Sequence, residues 1–323
     1  MVEIARHRKM TTKLCPYCNS AQSILMGNVY CSHSGDNMHK LENGSMMIRM
    51  NKLEETAEHV SRLTIRLTLN GDQFYKVGNH DHVINAKKYL VVNQGQRYTT
   101  SFEGTDNQEM LLVAFKPDFV SEVLHSIVTQ DDKLLDDPFK AAEQPVAFFE
   151  KAYEMDEEIL NSFLLLRKLM DEDLSWKKEY DLQSVYSSLL VRLLAVHKNL
   201  KPEIDKINSA KLSTRTELYR RLSIAKDYMD AHPEKRISIE EVAKISFLST
   251  HHFKRAFKEL FDTTPHQYHV IRRLEHSRVL LQNESNKVED VCRKVGFENT
   301  SSFIRLFREH YGYTPRTLPL NSL

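Results

Sequence analysis

The chain has 323 residues, with 45 Lys and Arg against 44 Asp and Glu, and a formal net charge of +1. This balance excludes a uniformly basic, histone-like chain and an acidic disordered one. Only 9 residues are glycine, and neither Gly-x-Gly nor Gly-x-x-x-x-Gly-Lys occurs, which argues against the dinucleotide and phosphate loops of many enzymes. No glycine lies within 105–295, so we expect that stretch to be mostly helical.

The apolar runs and the first residues indicate a soluble, cytoplasmic protein without a membrane partner. No run approaches the roughly 18 apolar residues of a membrane span. Arg6, Arg8 and Lys9 are not followed by the apolar stretch of a secretory signal. Four cysteines in a chain of this size do not make a disulfide scaffold.

A cysteine cluster marks the polar extension of residues 1–45. Its spacing fits a tetrahedral zinc site, in which a Cys-x-x-Cys knuckle meets a third cysteine and a histidine. The candidate ligands are Cys15, Cys18, Cys31 and His33, with His39 as the alternative fourth ligand.

Two other interpretations of residues 1–45 remain open. One is a disordered extension with free thiols, and the other is a true start at one of the methionines between residues 46 and 50. Zinc at this cluster is the one cofactor that the residues suggest, and the function inferred below requires none.

Residues 60–116 have the pattern of short strands. Apolar and polar residues alternate from Arg62 to Leu69, Asn70-Gly71 is a turn signal, and further apolar runs follow at 89–92 and 110–115. Strands at this spacing predict a small sandwich or barrel. If the barrel binds a ligand, alternation predicts Phe74, Tyr89 and Phe102 among the inward-facing residues.

His80-Asp81-His82 has the spacing of a metal-binding His-x-His pair. No carboxylate follows within the next five residues, as such a site would need. We therefore interpret this segment as a polar hairpin turn.

Residues 117–200 change to helical periodicity. Pro117-Asp118 starts a helix, and an apolar stripe runs from Leu182 to Leu194 at i, i+3, i+4, i+7 spacing. The stripe predicts either the interface of a homodimer or internal core. Residues 198–215 are polar, contain Pro202 and are predicted to be a linker.

The last hundred residues contain an internal repeat. The segment from Phe253 to Phe261 matches the segment from Phe303 to Tyr311 at an offset of 50, and Thr264-Pro265 matches Thr314-Pro315. Just upstream the offset is 49, because the turn has gained one residue. Each copy predicts a short helix, a turn and a second helix with an apolar face, which is helix-turn-helix geometry.

The second helix of each copy has a polar face suited to base edges and phosphates. Residues 215–323 hold 19 Lys and Arg against 14 Asp and Glu, a net charge of +5, and the remaining residues have a net charge of −4. The neutral total therefore hides a basic region.

These motifs resemble the DNA-binding domain of the AraC/XylS family of bacterial transcription regulators. The resemblance covers residues 216–317 and rests on motifs in the right order. They are Thr264-Pro265-His-Gln-Tyr268, Arg273-Leu274, Val291-Cys-Arg-Lys-Val295-Gly296-Phe297, Ser302-Phe303-Ile-Arg305-Leu-Phe307 and Gly312-Tyr-Thr314-Pro315. The chain departs from the family at Cys292, usually alanine, and at Arg316-Thr317, where the family has Tyr-Arg.

The resemblance implies an all-α domain of two helix-turn-helix units joined by a long helix over about residues 265–282. The two recognition helices would enter successive major grooves of double-stranded DNA, roughly 34 Å apart. Position on those helices then implies eight DNA contacts. They are Thr250, His251, Lys254 and Arg255 in the first unit, and Thr300, Ser301, Ser302 and Arg305 in the second. For either Arg272 or Arg273 we expect a phosphate contact, and for the other an internal salt bridge.

Family members often carry a cupin-like barrel and a helical dimerisation segment before this domain. The whole chain is thus predicted to be α+β, with a cupin-like β sensor at 60–116, a helical segment at 117–200 and the DNA-binding domain at 216–317. The resemblance implies a transcription activator that is no enzyme, with RNA polymerase, a second copy and a small-molecule effector as expected partners.

Two other functions compete with this prediction. The N-terminal cysteines suggest a zinc- or thiol-based chemical sensor, or an Ada-like alkyl-accepting DNA repair regulator, although three cysteines are too few for four thiolate ligands. The other competitor is an interaction module that has lost DNA binding, which the basic C-terminal region disfavours.

Overall fold

The computed structural model describes residues 38–40, 46–50, 59–102, 109–128, 147–171, 177–282 and 286–318. The chain divides into two compact units, residues 1–199 and 200–323. The described part of the first unit combines strands and helices, and that of the second is helical. The predicted α+β class is therefore confirmed. The candidate ligands Cys15, Cys18, Cys31 and His33 lie outside the described residues.

The first unit contains ten described strands and three described helices. The strands are β1 (Met38–Lys40), β2 (Met46–Met50), β3 (His59–Val60), β4 (Leu63–Thr68), β5 (Gln73–Val77), β6 (His80–Ile84), β7 (Lys88–Val92), β8 (Arg97–Phe102), β9 (Met110–Phe115) and β10 (Ala152–Glu154). The helices are α1 (Pro117–Val128), α2 (Glu157–Asp171) and α3 (Lys177–Lys198).

The strands form two antiparallel sheets, ordered β1-β2-β9-β4-β7-β10 and β3-β8-β5-β6. Both sheets contribute alternate side chains to one buried core, so the core lies between them. Its members are Tyr75, Val77, Ile84, Leu90, Val92, Tyr98, Met110, Leu112, Ala114 and Ala152. The strands predicted within 60–116 are thus confirmed.

Phe74 and Tyr89 do not face this core. Their neighbours Tyr75 and Leu90 do, and successive strand residues point to opposite faces of a sheet. Tyr89 instead stacks on Tyr153 with 5.3 Å between ring centroids. The prediction that Phe74 and Tyr89 line an internal pocket is wrong, because a displacement of one residue reverses the face. The side chain of Phe102 lies outside the described residues.

His80 and His82 belong to strand β6, so the hairpin-turn interpretation is also wrong. Their carboxylate partner comes from residue 150: His80 Nδ1 lies 2.8 Å and His82 Nε2 3.8 Å from Glu150 Oε1. Burial acts to raise the pKa of Glu150, but the hydrogen bonds with both histidines outweigh it and lower that pKa to about 2. Among the described residues, no group of three or more His, Cys, Asp and Glu side chains is arranged to hold a metal ion.

The apolar stripe of α3 is internal core of the first unit. Its residues Leu182, Tyr186, Leu189, Leu190 and Leu193 are at most 1% exposed. The ring of Tyr186 packs edge-on against Phe115 of β9, with centroids 6.3 Å apart. Of the two interpretations of the stripe, the structure favours internal core over a dimer interface.

The second unit consists of helices in its described part. They are α4 (Lys201–Asp205), α5 (Leu212–Ala231), α6 (Ile239–Ile245), α7 (Thr250–Phe261), α8 (Pro265–Leu281), α9 (Val288–Lys294), α10 (Thr300–Tyr311) and a 3₁₀ turn (Pro315–Thr317). No helix among the described residues of the chain is long and apolar enough to cross a membrane.

Residues 198–215 are not an irregular linker. They contain α4 and the start of α5, and the buried Ile204 and Ile207 anchor them to the second unit. Tyr219 donates a hydrogen bond to Glu203 Oε2 at 2.6 Å. The segment looks polar in sequence because only one face of this single helical turn is covered.

Candidate nucleic-acid interface

The first helix-turn-helix consists of α6 and α7. Ser238 begins α6 by accepting a hydrogen bond from the Glu241 backbone N–H, and Ser249 begins α7 by accepting one from His252 N–H at 3.4 Å. Such caps satisfy backbone donors that a helix start leaves unpaired. The α7 helix ends at Asp262 in the left-handed conformation, with φ +57°.

The second helix-turn-helix consists of α9 and α10. Asn299 begins α10 and accepts two backbone hydrogen bonds, from Ser301 N–H at 2.9 Å and Ser302 N–H at 3.1 Å. The helix ends at Gly312, whose φ of +80° suits glycine. Ser249 and Asn299 are therefore the N-caps of the two helices.

Each recognition helix buries one face in the core of its own helix-turn-helix. In α7 this face contains Phe253, Ala256, Phe257 and Leu260. In α10 it contains Phe303 and Phe307, which pack with Leu274 of α8 and with Val291 and Cys292 of α9. Burial of these rings fixes which side of each helix is left for other contacts.

The eight predicted DNA contacts lie on the remaining faces. His251, Lys254 and Arg255 are exposed in α7, and Ser301, Ser302 and Arg305 are exposed in α10. Thr250 and Thr300 begin the two helices and are half-buried. The structure therefore gathers each predicted set on one helix surface.

The two arginines on these faces are weakly held. Arg255 lies 3.7 Å from Glu259 and Arg305 lies 3.8 Å from Glu309, each within its own helix. Their side chains are 62% and 68% exposed. Exposed ion pairs of this kind contribute little stability, so both guanidinium groups can leave them for a phosphate or a base edge.

The linking helix α8 is fixed at its start by a capping box between Thr264 and Gln267. Near its middle, Arg272 pairs with the buried Asp230 at 3.1 Å, and the Tyr268 hydroxyl also donates to Asp230 at 2.5 Å. Arg272 is thus the internal salt bridge that the sequence assigned to one of the two arginines.

Arg273 supports the turn of the second helix-turn-helix rather than facing a phosphate. Its Nε donates to the Val295 carbonyl at 2.5 Å, and its guanidinium lies 4.7 Å from the centroid of Phe297. Desolvation lowers the pKa of Arg273. A β-carbon on Gly296 would clash with this guanidinium and would lie 3.0 Å from the Glu234 carbonyl oxygen.

Sequence reasoning did not find this support, or the ion pair at 2.5 Å between Arg236, just before α6, and Glu298, in the turn of the second helix-turn-helix. One signal was available: the repeat places Phe247 opposite Gly296, so the two turns had to differ. Lys258 and Arg308 are further exposed cations on α7 and α10.

Comparison with known proteins identifies this region. Residues 242–319 match the family model of a helix-turn-helix domain. The chain is 34% identical to the probable transcriptional regulator LumQ of Photobacterium leiognathi over 89 residues, which are 28% of this chain and 36% of that protein. It is 29% identical to the lactose operon transcription activator of Staphylococcus xylosus over 87 residues, 27% of this chain and 31% of that one.

Among solved structures, one similar chain is a transcriptional regulator with an AraC-type DNA-binding domain from Chromobacterium violaceum. It is 27% identical, with a TM-score of 0.28, over 33% of this chain and 91% of that chain. The chain spans about a third of the length of the curated relatives named here. The resemblance to the AraC/XylS family is confirmed for residues 242–319.

Proposed function

We propose that the protein is a sequence-specific, AraC-type transcription activator that binds double-stranded DNA through α7 and α10 and acts on RNA polymerase. The main support is that two separately capped recognition helices each have an exposed polar face. Each face contains an arginine that is held only in a loose ion pair. The helix-turn-helix match at residues 242–319 supports the same conclusion.

In this proposal each recognition helix enters a major groove. Arg255 and Arg305 read base edges, and a bidentate contact from guanidinium to guanine is the commonest specific contact of this kind. Lys254 and His251 add contacts in the first groove, and Ser301 and Ser302 add contacts near the start of α10. The net charge of +5 over residues 215–323 supplies the attraction to phosphates that does not depend on sequence.

The test measures the affinity of the full-length protein for a site selected from random-sequence DNA, over a range of salt concentrations. Arg255→Ala and Arg305→Ala are each expected to weaken binding to that site by roughly 1–3 kcal/mol, with a smaller effect on unrelated DNA. Binding should fall steeply with salt, since phosphate contacts release counterions.

Arg316→Ala is the matched control. Arg316 is 79% exposed, lies outside both recognition helices and is only 3.8 Å from Glu289 in a loose ion pair. It should leave specific affinity nearly unchanged. Unchanged affinity in both Arg255→Ala and Arg305→Ala would show that these helices do not enter the grooves.

The compact unit of residues 1–199 is proposed to be a cupin-like sensor domain that binds a small-molecule effector. The supporting observation is the guanidinium of Arg66 in β4, a residue only 2% exposed. Among the described residues its partners are Thr64 Oγ1 at 3.3 Å and two tyrosines, Tyr98 and Tyr75, which hydrogen-bond to it and whose ring centroids lie 3.9 and 5.4 Å away; none is a carboxylate. A buried cation normally requires an anionic partner, so an anionic effector is the chemistry to screen first.

A second proposal concerns Cys15, Cys18, Cys31 and His33. If they hold zinc, the protein also senses metal or thiol chemistry, and chelator or oxidant should change its affinity for DNA. If the chain is an Ada-like repair regulator instead, intact-protein mass should rise after exposure to methylated DNA. We expect no mass gain, because three cysteines cannot supply four thiolates.

A further inference from the structure

The connection between α4 and α5 lies against the C-terminal end of the recognition helix α7. We call residues 206–209 the α4–α5 turn. The backbone N–H of Asn208 donates a long hydrogen bond to Glu259 Oε2 at 3.4 Å, and Lys206 Nζ lies 2.9 Å from Asp262 Oδ2. Glu259 belongs to the last turn of α7, and Asp262 ends that helix. The α4–α5 turn therefore contacts the end of α7 at two points.

The α4–α5 turn is itself held in place from both sides. Ile207 is only 1% exposed, and its carbonyl accepts a hydrogen bond from the Ser209 N–H at 2.9 Å. Arg215 of α5 donates Nη1 to the Ser209 carbonyl at 2.8 Å, and its Nη2 lies 3.1 Å from Asp205 Oδ1. The N–H of Asn208 lies between these two anchored residues, so its position beside α7 is fixed.

Glu259 uses its two carboxylate oxygens in different directions. Oε2 accepts from the α4–α5 turn, and Oε1 lies 3.7 Å from Nε of Arg255, four residues earlier on α7. A carboxylate with one oxygen held by a backbone N–H has fewer orientations for the other oxygen. The contact to Arg255 is made at Nε, so both terminal nitrogens of the guanidinium remain available for the two hydrogen bonds that a guanine edge accepts.

The second helix-turn-helix has the same ion pair without this support. Arg305 lies 3.8 Å from Glu309, again four residues apart, but the contact is made by Nη1, one of the two terminal nitrogens. Glu309 is 58% exposed, against 28% for Glu259. Among the described residues no backbone N–H donates to Glu309. The chain thus provides its own comparison of a supported and an unsupported pair.

We propose that Glu259 is a positioning residue for DNA reading, held by the Asn208 N–H and acting through Arg255. This inference rests on the proposed function. A guanidinium that is already oriented before binding loses less conformational freedom when it meets a base, and it fits fewer wrong bases. The specificity of Arg255 therefore depends on the α4–α5 turn, whereas the specificity of Arg305 depends little on Glu309.

The experiment measures base discrimination by the full-length protein at fixed pH and salt. Discrimination is the ratio of the Kd for a site with one base pair changed to the Kd for the site selected from random-sequence DNA. It is measured at the base pair whose preference Arg255→Ala removes and at the one whose preference Arg305→Ala removes. Glu259→Gln should lower discrimination at the first base pair roughly threefold or more, as expected for coupled neighbours, and leave the second unchanged.

Glu309→Gln is the matched control, because it removes the same charge at the equivalent position of the second helix-turn-helix. It should lower discrimination at the Arg305 base pair by less than about twofold. The double variant Arg255→Ala, Glu259→Gln should discriminate like Arg255→Ala alone, because Glu259 acts only through Arg255. A purely structural role of Glu259 would instead weaken binding to all sites and would add to the effect of Arg255→Ala.

Two variants at one position test the backbone contact. Asn208→Pro removes the N–H and should reproduce the loss seen in Glu259→Gln. Asn208→Ala keeps the N–H and removes only an exposed side chain, so it should discriminate like the wild type. The thermal unfolding midpoint of each variant shows whether the fold is kept. If Asn208→Pro unfolds, the isosteric Glu259→Gln decides the question.

Three results would overturn the proposal: unchanged discrimination in Glu259→Gln, an equal loss in Glu309→Gln at its own base pair, or a further loss when Glu259→Gln is added to Arg255→Ala. Failure of the proposed function would look different. In that case Arg255→Ala itself would keep the discrimination of the wild type at every base pair.

Discussion

The two helix-turn-helix units share one scaffold but use their turns differently. Gly296 closes the second turn against Arg273 and the Glu234 carbonyl, whereas Phe247 leaves the first turn open with its ring in solvent. In both turns an arginine from the preceding long helix donates to a backbone carbonyl. Equivalent positions can therefore serve packing in one unit and surface chemistry in the other.

The largest expected effect is at Gly296. Gly296→Ala should destabilise the second helix-turn-helix by about 2–4 kcal/mol, because it forces a β-carbon into a positive φ and against Arg273 and Glu234. Hydrogen exchange of the full-length protein should show the loss in α9 and α10.

The control is a substitution at the equivalent position of the first helix-turn-helix. Phe247→Gly should stabilise the protein by about 0.5–1 kcal/mol, because Phe247 has a φ of +53° that suits glycine. The comparison fails if both substitutions change the free energy of unfolding in the same direction.

The helix ends give the next contrast. Gly312→Ala should destabilise by about 1 kcal/mol, because Gly312 ends α10 at φ +80°. Nothing lies within 4 Å of the new β-carbon, so the effect would be conformational alone. Asp262 ends α7 in the same conformation, and Asp262→Gly should be neutral or slightly stabilising. Denaturant unfolding measures both, and an unchanged Gly312→Ala would contradict the account of this cap.

The helix starts differ in the number of hydrogen bonds that they receive. Asn299→Ala removes two acceptor contacts and should destabilise by about 1 kcal/mol, whereas Ser249→Ala removes one long contact and should destabilise by about 0.5 kcal/mol. Protection of the first-turn amides against hydrogen exchange reports each cap. The reverse order of the two losses would be incompatible with this assignment.

The smallest effect concerns the pH dependence of an ion-pair cluster on α5. Hydrogen bonds from Arg220 and Arg221 lower the pKa of Glu217 to about 2, from an ordinary value of 4.5. A lowered folded-state pKa means that the contribution is complete above about pH 4.5 and is lost as the pH falls towards 2. The effect is small, since the carboxylate is 42% exposed.

Glu217→Gln serves as the reference for that pH effect, because other carboxylates titrate in the same range. The difference in thermal midpoint between wild type and variant should shrink from pH 6 to pH 3. A constant difference would show that Glu217 is not titrating as described.

The parts of the fold that follow from short-range pattern were predictable. The repeat identified both recognition helices and their apolar faces, because helical periodicity is a property of neighbouring residues. The strands from residue 60 to 116 were predictable for the same reason.

Features that depend on distant residues were not predictable. Glu150 reaches His80 from 70 positions along the chain, and Arg273 reaches Val295 from 22. The faces of Phe74 and Tyr89 depended on which side of each sheet meets the other sheet. The short helix α4 was hidden by its polar exposed face. No local pattern encodes these pairings, so only the folded structure reveals them.

The central claim is that the two helix-turn-helix motifs read DNA separately, each in its own major groove. The most direct measurement is selection of binding sites from random-sequence DNA by the wild type, Arg255→Ala and Arg305→Ala. The account predicts two specified patches about one helical turn apart, with each variant relaxing the sequence of a different patch. A single patch, or two variants that select the same sequence as the wild type, would contradict it.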